Sequence, residues 1–230
     1  MARIVQTFSG GMDSATLLRY LSRGGHELRT IGFDYGQRHK KELQFASKMA
    51  ADLGVPYTIV SLDSLTCLLS ESALTNADVA VPDGHYAEES MKITVVPNRN
   101  MIMLAVAIGY AENLHYDAVA IANHTGDHTI YPDCRPAFVE ALDVAARLAT
   151  YGGIRVLSPF KHISKTEIVA IGNAIGVDYR DTWSCYKGGD EHCGTCGTCV
   201  ERQEALDEAG GVAVPAALDQ VSAAMNEALT

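Results

Sequence analysis

The hexapeptide Ser9-Gly10-Gly11-Met12-Asp13-Ser14 constrains this chain more than any other stretch, because of what stands on either side of it. The apolar run Ile4-Val5-Gln6-Thr7-Phe8 before it reads as a buried strand, and Ala15-Thr16-Leu17-Leu18 after it opens a helical pattern. Two adjacent glycines permit positive φ and let backbone approach a ligand closely. The helix that follows points its unpaired amides and the positive end of its dipole at the turn. An anion is the natural occupant. An ordinary turn with Asp13 or Ser14 as N-cap would account for a glycine pair alone. The full hexapeptide, directly after the first strand, points to phosphate binding.

Beyond this turn the pattern alternates. Strands are expected over 1–8, 28–35, 57–62, 117–122 and 154–157, and helices over 13–23, 38–53, 101–114, 135–148 and 164–175. The β-α-β-α-β order implies parallel strands, right-handed crossovers and a doubly wound sheet with its ligand at the strands' carboxyl ends. Residues 63–92 read as a long irregular excursion with a turn at Asp83-Gly84, of the kind that carries function or an interface. A 230-residue chain fits one sizeable α/β unit with a small appendage. The division expected is 1–180 for the nucleotide-binding and catalytic part and 181–230 for a cysteine-bearing, helical C-terminal segment packed on it.

The net charge of −10 argues against a general affinity for nucleic acid or anionic membrane. No apolar run approaches the roughly 20 residues of a membrane span, and no signal-peptide core precedes the glycine turn, so a cytoplasmic protein is expected.

Cys185, Cys193, Cys196 and Cys199 crowd into the C-terminal part, and Gly194 and Gly197 are expected to give the tight turns that aim successive thiolates at one point. Four thiolates make a closed structural Zn²⁺ site; a cubane iron–sulfur cluster is the competing occupant. Cys67 and Cys134 read as buried thiols. Several polar segments follow strands: Asp34-Tyr35-Gly36-Gln37-Arg38-His39, Val96-Pro97-Asn98-Arg99-Asn100, and Asn123 to Arg135, which holds His124, Asp127, His128, Tyr131, Asp133 and Arg135. His124 and His128 stand four apart, but Gly126 and the preceding strand argue against a helix that would align them on a metal. Lys165, at the start of a helix, is within reach of a phosphate or is simply solvated.

The glycine hexapeptide lacks the lysine of a Walker A loop, carries an Asp inside the turn, and resembles the PP-loop of the ATP pyrophosphatases. Taken in order, that loop, Asp34-Tyr35-Gly36-Gln37-Arg38, Val96-Pro97-Asn98-Arg99-Asn100, Tyr131-Pro132-Asp133-Cys134-Arg135 and Ser184-Cys185-Tyr186 with the later cysteines resemble the 7-cyano-7-deazaguanine synthase family, from the first strand to about Arg202. Asn98 and His128-Thr129-Ile130 depart from the family's usual residues. The resemblance implies a Rossmann-like PP-loop fold, ligation of ammonia to 7-carboxy-7-deazaguanine at the expense of ATP, and dehydration to the nitrile in queuosine or archaeosine synthesis. It implies zinc on Cys185, Cys193, Cys196 and Cys199, Mg²⁺ with the ATP, and a homodimer.

Residue by residue, the resemblance implies that ATP meets Phe8, Ser9, Gly10, Gly11, Met12, Asp13, Ser14, Ala15, Thr16, Leu17 and Leu18 together with Gln37 and Arg38. Ser9, Asp13, Ser14 and Lys165 would carry the chemistry: hydroxyls and ammonium on the departing pyrophosphate, Asp13 orienting the loop or the metal. Arg99, Asn100, Asp127, Tyr131, Asp133 and Arg135 would hold the base, with Asp127 and Asp133 on its guanine-like edge, Tyr131 stacked, and Arg99 or Arg135 on the carboxylate. Three rivals share parts of the pattern. They are a related enzyme stopping at the amide or conjugating the base, another amidating or thiolating PP-loop ligase, and a zinc-ribbon binding module, which would need a basic face that Asp190, Glu191 and Glu201 offset.

Overall fold

A computed structural model describes residues 1–85 and 89–229; residues 86–88 of the long excursion lie outside the described residues. Five strands form one parallel sheet in the order β3-β2-β1-β4-β5: β1 (Arg3–Thr7), β2 (Glu27–Asp34), β3 (Tyr57–Ser61), β4 (Ala118–Ala120) and β5 (Arg155–Leu157). The register runs Ile4 against Leu28 on one side of β1 and Ile4 against Ala118 on the other. The chain therefore winds outward from β1 through β3, then restarts at β4 on the opposite side. A crevice opens at the carboxyl ends of β1 and β4, where the winding reverses.

Alternate residues of the inner strands feed two cores. Ile4, Ala118, Ala120 and Leu157 pack on α1 (Met12–Arg23), α6 (Lys165–Ile175) and α8 (Val214–Leu229), among Leu17, Leu21, Ile168, Ile171 and Val221. Val5, Val119 and Val156 face the other way, toward α4 (Arg99–Asn113) and α5 (Pro136–Ala149), with Leu104, Ala107, Val139 and Leu142. On that side lie also Trp183, Cys185, Cys196 and Cys199. The doubly wound parallel sheet expected from the alternation is thus the architecture observed, and the C-terminal α8 completes one of its two layers.

The ends of α4 and α6 carry the clearest local signals. Ser164 caps α6, accepting from the Glu167 amide while the Glu167 carboxylate reaches back, and Gly176 closes it with φ +81°. Asn98, the N-cap of α4, holds φ +58°, a left-handed position that Asn tolerates better than most residues. After α2 (Lys41–Asp52) and β3, the excursion leading to α4 includes α3 (Asp63–Thr66) and a 3₁₀ turn over Glu89–Thr94. One expectation fails here: Cys67 is exposed, because α3 is a single turn on the surface with no buried residue. A second concerns Gly197, which is the first residue of α7 (Gly197–Glu208); among the knot's two glycines only Gly194 takes positive φ.

Candidate active site

The crevice is lined at one end by the glycine turn. Gly11 is the N-cap of α1 with extended backbone, and no side chain caps the helix, so its first amides remain available to an anion. Gly10, at φ +84°, lets α2 press against the loop: a Cβ there would stand 2.5 Å from the Glu42 carbonyl oxygen and 2.7 Å from the Ala46 nitrogen. Its own carbonyl accepts from the Trp183 amide at 3.0 Å. Ser9 and Ser14 hydroxyls lie 3.2 Å apart, and the buried Gln6 amide donates to the Ser14 carbonyl at 2.7 Å, tying the loop to β1.

A buried cation stands beside this turn. Lys165 Nζ lies 3.4 Å from Asp13 Oδ2 and 2.6 Å from Glu201 Oε2. Burial alone would lower its pKa, but Asp13, Glu201 and Asp127 outweigh that and hold the ammonium charged. Asp13 Oδ1 is buried with no hydrogen-bond partner. His124 accepts the Gly126 amide on Nδ1, which leaves its proton on Nε2, 3.6 Å from Asp127 Oδ1 and 3.9 Å from Asp13 Oδ2. Asp127 in turn accepts the His124 amide on Oδ2, closing a capping box.

The other end is aromatic and includes Arg99. Arg99 donates to the Tyr35 hydroxyl at 3.3 Å, its guanidinium 5.8 Å from that ring's centre. Tyr131 is buried with its hydroxyl 2.8 Å from Thr94 Oγ1, and Tyr186 stacks on His39 at 5.1 Å. Burial pushes Tyr35 up to about 12 and Tyr186 upward as well. Glu42 enters the crevice from α2, and burial pushes its carboxyl up to about 8 against the pull of Arg99 and Gln37. His39 beside it is driven down to about 3 by burial and by Arg99, and so stays neutral.

The third component is the cysteine knot. One ligand atom from each of Cys185, Cys193, Cys196 and Cys199 lies within 4.8 Å of the others, and the Cys193 and Cys199 sulfurs are 3.9 Å apart. Cys196 caps α7 and Cys199 sits in its first turn. The Cys196 thiol is held low by hydrogen bonds from Cys185 and Cys199, which are themselves pushed up, since four thiolates cannot share so small a volume without a cation. The knot carries Trp183, Ser184, Tyr186 and Thr198 into the crevice and, through α7, Glu201 to Lys165.

Residues 3–210 match the sequence profile of queuosine biosynthesis protein QueC. The chain belongs to the QueC family. Relatives of this family include the 7-cyano-7-deazaguanine synthase of Hahella chejuensis, 51% identical over 206 residues that cover 90% of this chain and 89% of the relative. That of Allorhizobium ampelinum is 53% identical over 210 residues, with the same shares of each chain covered. Among solved structures, the U34-tRNA thiolase NcsA from Methanococcus maripaludis with its [4Fe-4S] cluster aligns with a TM-score of 0.51 at 14% identity, over 98% of this chain and 72% of that one. That likeness concerns the fold alone.

In this QueC-family chain the crevice brings together Phe8, Ser9, Gly11, Met12, Asp13, Ser14, Lys165, Arg99, Asn100, Asp127 and Tyr131. Other expected residues stand apart from it. Ala15, Leu17 and Leu18 are fully buried in core, and Thr16 bonds the Met12 carbonyl and Tyr179. Gln37 is spent on the Tyr35 amide, the Phe33 carbonyl and Glu42, and Arg38 turns outward to the Val79 and Ala77 carbonyls. The Asp133 carboxylate accepts the Asn100 amide at 2.8 Å, and Arg135 donates to the His128 carbonyl. Glu42 and Trp183 were not singled out by sequence; His39 and Tyr186 stood only inside motifs with no role of their own, and Glu201 only as a surface acid. A Glu on a helix reads as a solvated face, and only the packing of α2 and α7 against the loop shows otherwise.

Proposed function

We propose that the chain joins ammonia to the carboxylate of 7-carboxy-7-deazaguanine at the expense of ATP and then dehydrates the amide to 7-cyano-7-deazaguanine. The observation that carries this reading is a single crevice holding both an uncapped phosphate loop with a charged lysine and an Arg99-lined aromatic pocket, in a chain about half identical to 7-cyano-7-deazaguanine synthases. A carboxylate resists ammonia until it carries a leaving group. Its oxygen attacks the α-phosphorus, the bond to pyrophosphate breaks, and an acyl adenylate forms. Ammonia then adds to the acyl carbon, and AMP and a proton depart. The amide oxygen then attacks the α-phosphorus of a second ATP, the bond to pyrophosphate breaks and the nitrogen gives up one proton; loss of AMP with the second N–H proton leaves the nitrile. The loop amides, the Ser9 and Ser14 hydroxyls and Lys165 stabilise charge on the departing pyrophosphate. Asp13 and Glu201 hold Lys165 in place. Arg99 grips the carboxylate, and Tyr131 offers a face for the heterocycle.

Zinc fits the knot: a tetrahedral ion with Zn–S bonds of about 2.3 Å sets its sulfurs about 3.8 Å apart, and the sulfurs here all lie within 4.8 Å of one another. A cubane cluster places each thiolate on a separate iron and so spreads the sulfurs wider. Zinc would tie the segment after Trp183 to α7 and supply no chemistry to the substrate. Mg²⁺ with ATP would supply charge neutralisation, and the unpartnered Asp13 Oδ1 is an oxygen donor of the kind it takes. Free thiols that must stay reduced support a cytoplasmic location. No described helix is long and apolar enough to cross a membrane. The exposed apolar Val144, Leu148 and Tyr151 at the end of α5 support a homodimer, and the acidic charge speaks against a nucleic-acid partner. Mass spectrometry of protein with ATP, ammonium and 7-carboxy-7-deazaguanine tests the reading: AMP, pyrophosphate and the nitrile are expected. ADP with orthophosphate, or an accumulating amide, would overturn the activation or the dehydration.

A further inference from the structure

Among the described residues three carboxylates line the crevice: Asp13, Asp127 and Glu42. Two are committed. Asp13 holds Lys165, and Asp127 caps His124 through Oδ2 with Oδ1 near the imidazole. Asp133, the other acid expected at the base, does not reach the crevice because it binds the Asn100 amide. Glu42 differs. Its recorded contacts, Gln37 Nε2 at 3.2 Å and His39 Nε2 at 3.6 Å, both use Oε1. Oε2 is left to the crevice, toward which the side chain keeps 13% of its surface exposed.

The neighbouring histidine reinforces the polarity. With Nε2 turned to Glu42, His39 presents Nδ1 as a lone pair, and that atom is buried without a partner in a side chain only 4% exposed. With the Glu42 carboxyl ionised, this corner of the crevice offers acceptors alone, a carboxylate oxygen and an imidazole nitrogen, and a pair of donors arriving there favours that ionised form. Two kinds of donor could come: a cation or neutral N–H groups. Arg99 lies close enough to act on both Glu42 and His39, so the corner already has its compensating positive charge and a further cation would be repelled. Neutral donors are favoured. Adenine presents one donor and one acceptor on its pairing edge, which mismatches a carboxylate. A guanine-type edge presents two adjacent donors, the ring N–H and the 2-amino group, which a carboxylate accepts together.

We propose that Glu42, with His39 behind it, is the specificity-determining acceptor that reads the ring N–H and 2-amino group of a 7-deazaguanine base. This rests on the reading of the substrate given above and names the residue that selects it. Gln37 fixes the Glu42 oxygen that does not face the ligand, so the carboxylate is oriented before the base arrives.

The test is calorimetric binding of 7-carboxy-7-deazaguanine and of its analogue lacking the 2-amino group, to the wild-type protein and to Glu42→Gln and Glu42→Ala. Wild type should favour the full base by about 10- to 100-fold, the range of a lost bidentate contact. In Glu42→Ala that preference should collapse to about twofold, with affinity for ATP changed by less than about threefold. Glu42→Gln, nearly isosteric, should also lose the preference, and its circular dichroism and melting curve separate lost recognition from lost folding. A variant that still discriminates between the two bases, or one that loses ATP affinity instead, would overturn the assignment. Wild-type protein that binds both bases equally overturns it while leaving the ligase reading intact; wild type that binds neither overturns the substrate reading and this assignment with it.

Discussion

At the end of the crevice proposed to take phosphate, six consecutive residues supply the loop, the helix amides and both hydroxyls. At the end proposed to take the base, Glu42, Arg99, Tyr131 and Tyr186 arrive from four separate parts of the chain. The first is a backbone device: Gly10 and Gly11 set the turn, Gln6 and Trp183 pin it, and the helix dipole does the rest. The second is a packing device, whose geometry exists only because α2, α4 and the cysteine knot close on one another. Backbone sites should fail through main-chain sterics and charge, and packed sites through the elements that support them.

The largest expected effect breaks the backbone end. Gly10→Ala puts a methyl group 2.5 Å from the Glu42 carbonyl in a residue at φ +84°. We expect a stability loss of roughly 2–3 kcal/mol, a drop in melting temperature of roughly 5–10 °C, and at least a 10³-fold loss of ATP–pyrophosphate exchange. A near-native melt with full exchange would show that α2 can retreat from the loop. Next comes Asp13→Asn, which keeps shape but removes a charge from Lys165. Turnover should fall on the order of 10²-fold while the melt moves little, and a wild-type rate would take Asp13 out of the mechanism.

The packed end should be more forgiving. Cys193→Ser removes one of the four cysteines that could hold a metal at the loop that feeds Trp183 and Tyr186 into the crevice. About one zinc per chain is expected in wild type and none in the variant, with base affinity weakened roughly tenfold and ATP affinity less. Iron with labile sulfide, or full base affinity without metal, would contradict this. Equal loss of ATP and base affinity would erase the distinction between the two ends.

The same contrast explains what could be read from sequence. The sheet was legible because Ile4-Val5 and Val119 are apolar runs with helical patterns between them, and the phosphate loop because its parts are adjacent. The knot was legible through cysteine spacing, although Gly197 proved to open a helix where a turn was expected. Glu42 and Glu201 left no trace: each sits on a helix among other polar residues, and its burial depends on a partner 32 or more positions away, Gly10 for the one and Lys165 for the other. Arg38 and Arg135 bond backbone carbonyls outside the crevice lining, since a motif places a residue near a site without fixing which way its side chain turns.

The smallest effect concerns titration, and it separates the two ends most cleanly. At the phosphate end Lys165 is compensated by Asp13 and Glu201, so folding there is indifferent to neutral pH. At the base end burial raises the Glu42 carboxyl from its ordinary 4.5 to about 8, so between those values the folded state binds a proton that the unfolded state has released. Its contribution to stability is therefore greatest at low pH and declines as pH rises toward 8. His39 runs the other way: with its pKa driven from 6.5 to about 3, its penalty grows only as pH falls below 6.5. Between about pH 5 and 6.5 the two slopes oppose each other, and of the two only Glu42 acts from 6.5 to 8. Urea unfolding across that upper window should show wild type losing at most about 2 kcal/mol, the span of 1.5 pH units for one proton. Glu42→Gln should be flat over the same range. A wild-type curve as flat as the variant's would mean that Glu42 is already ionised against Arg99 in the unliganded protein, and that the base end, like the phosphate end, is charge-balanced before any ligand binds.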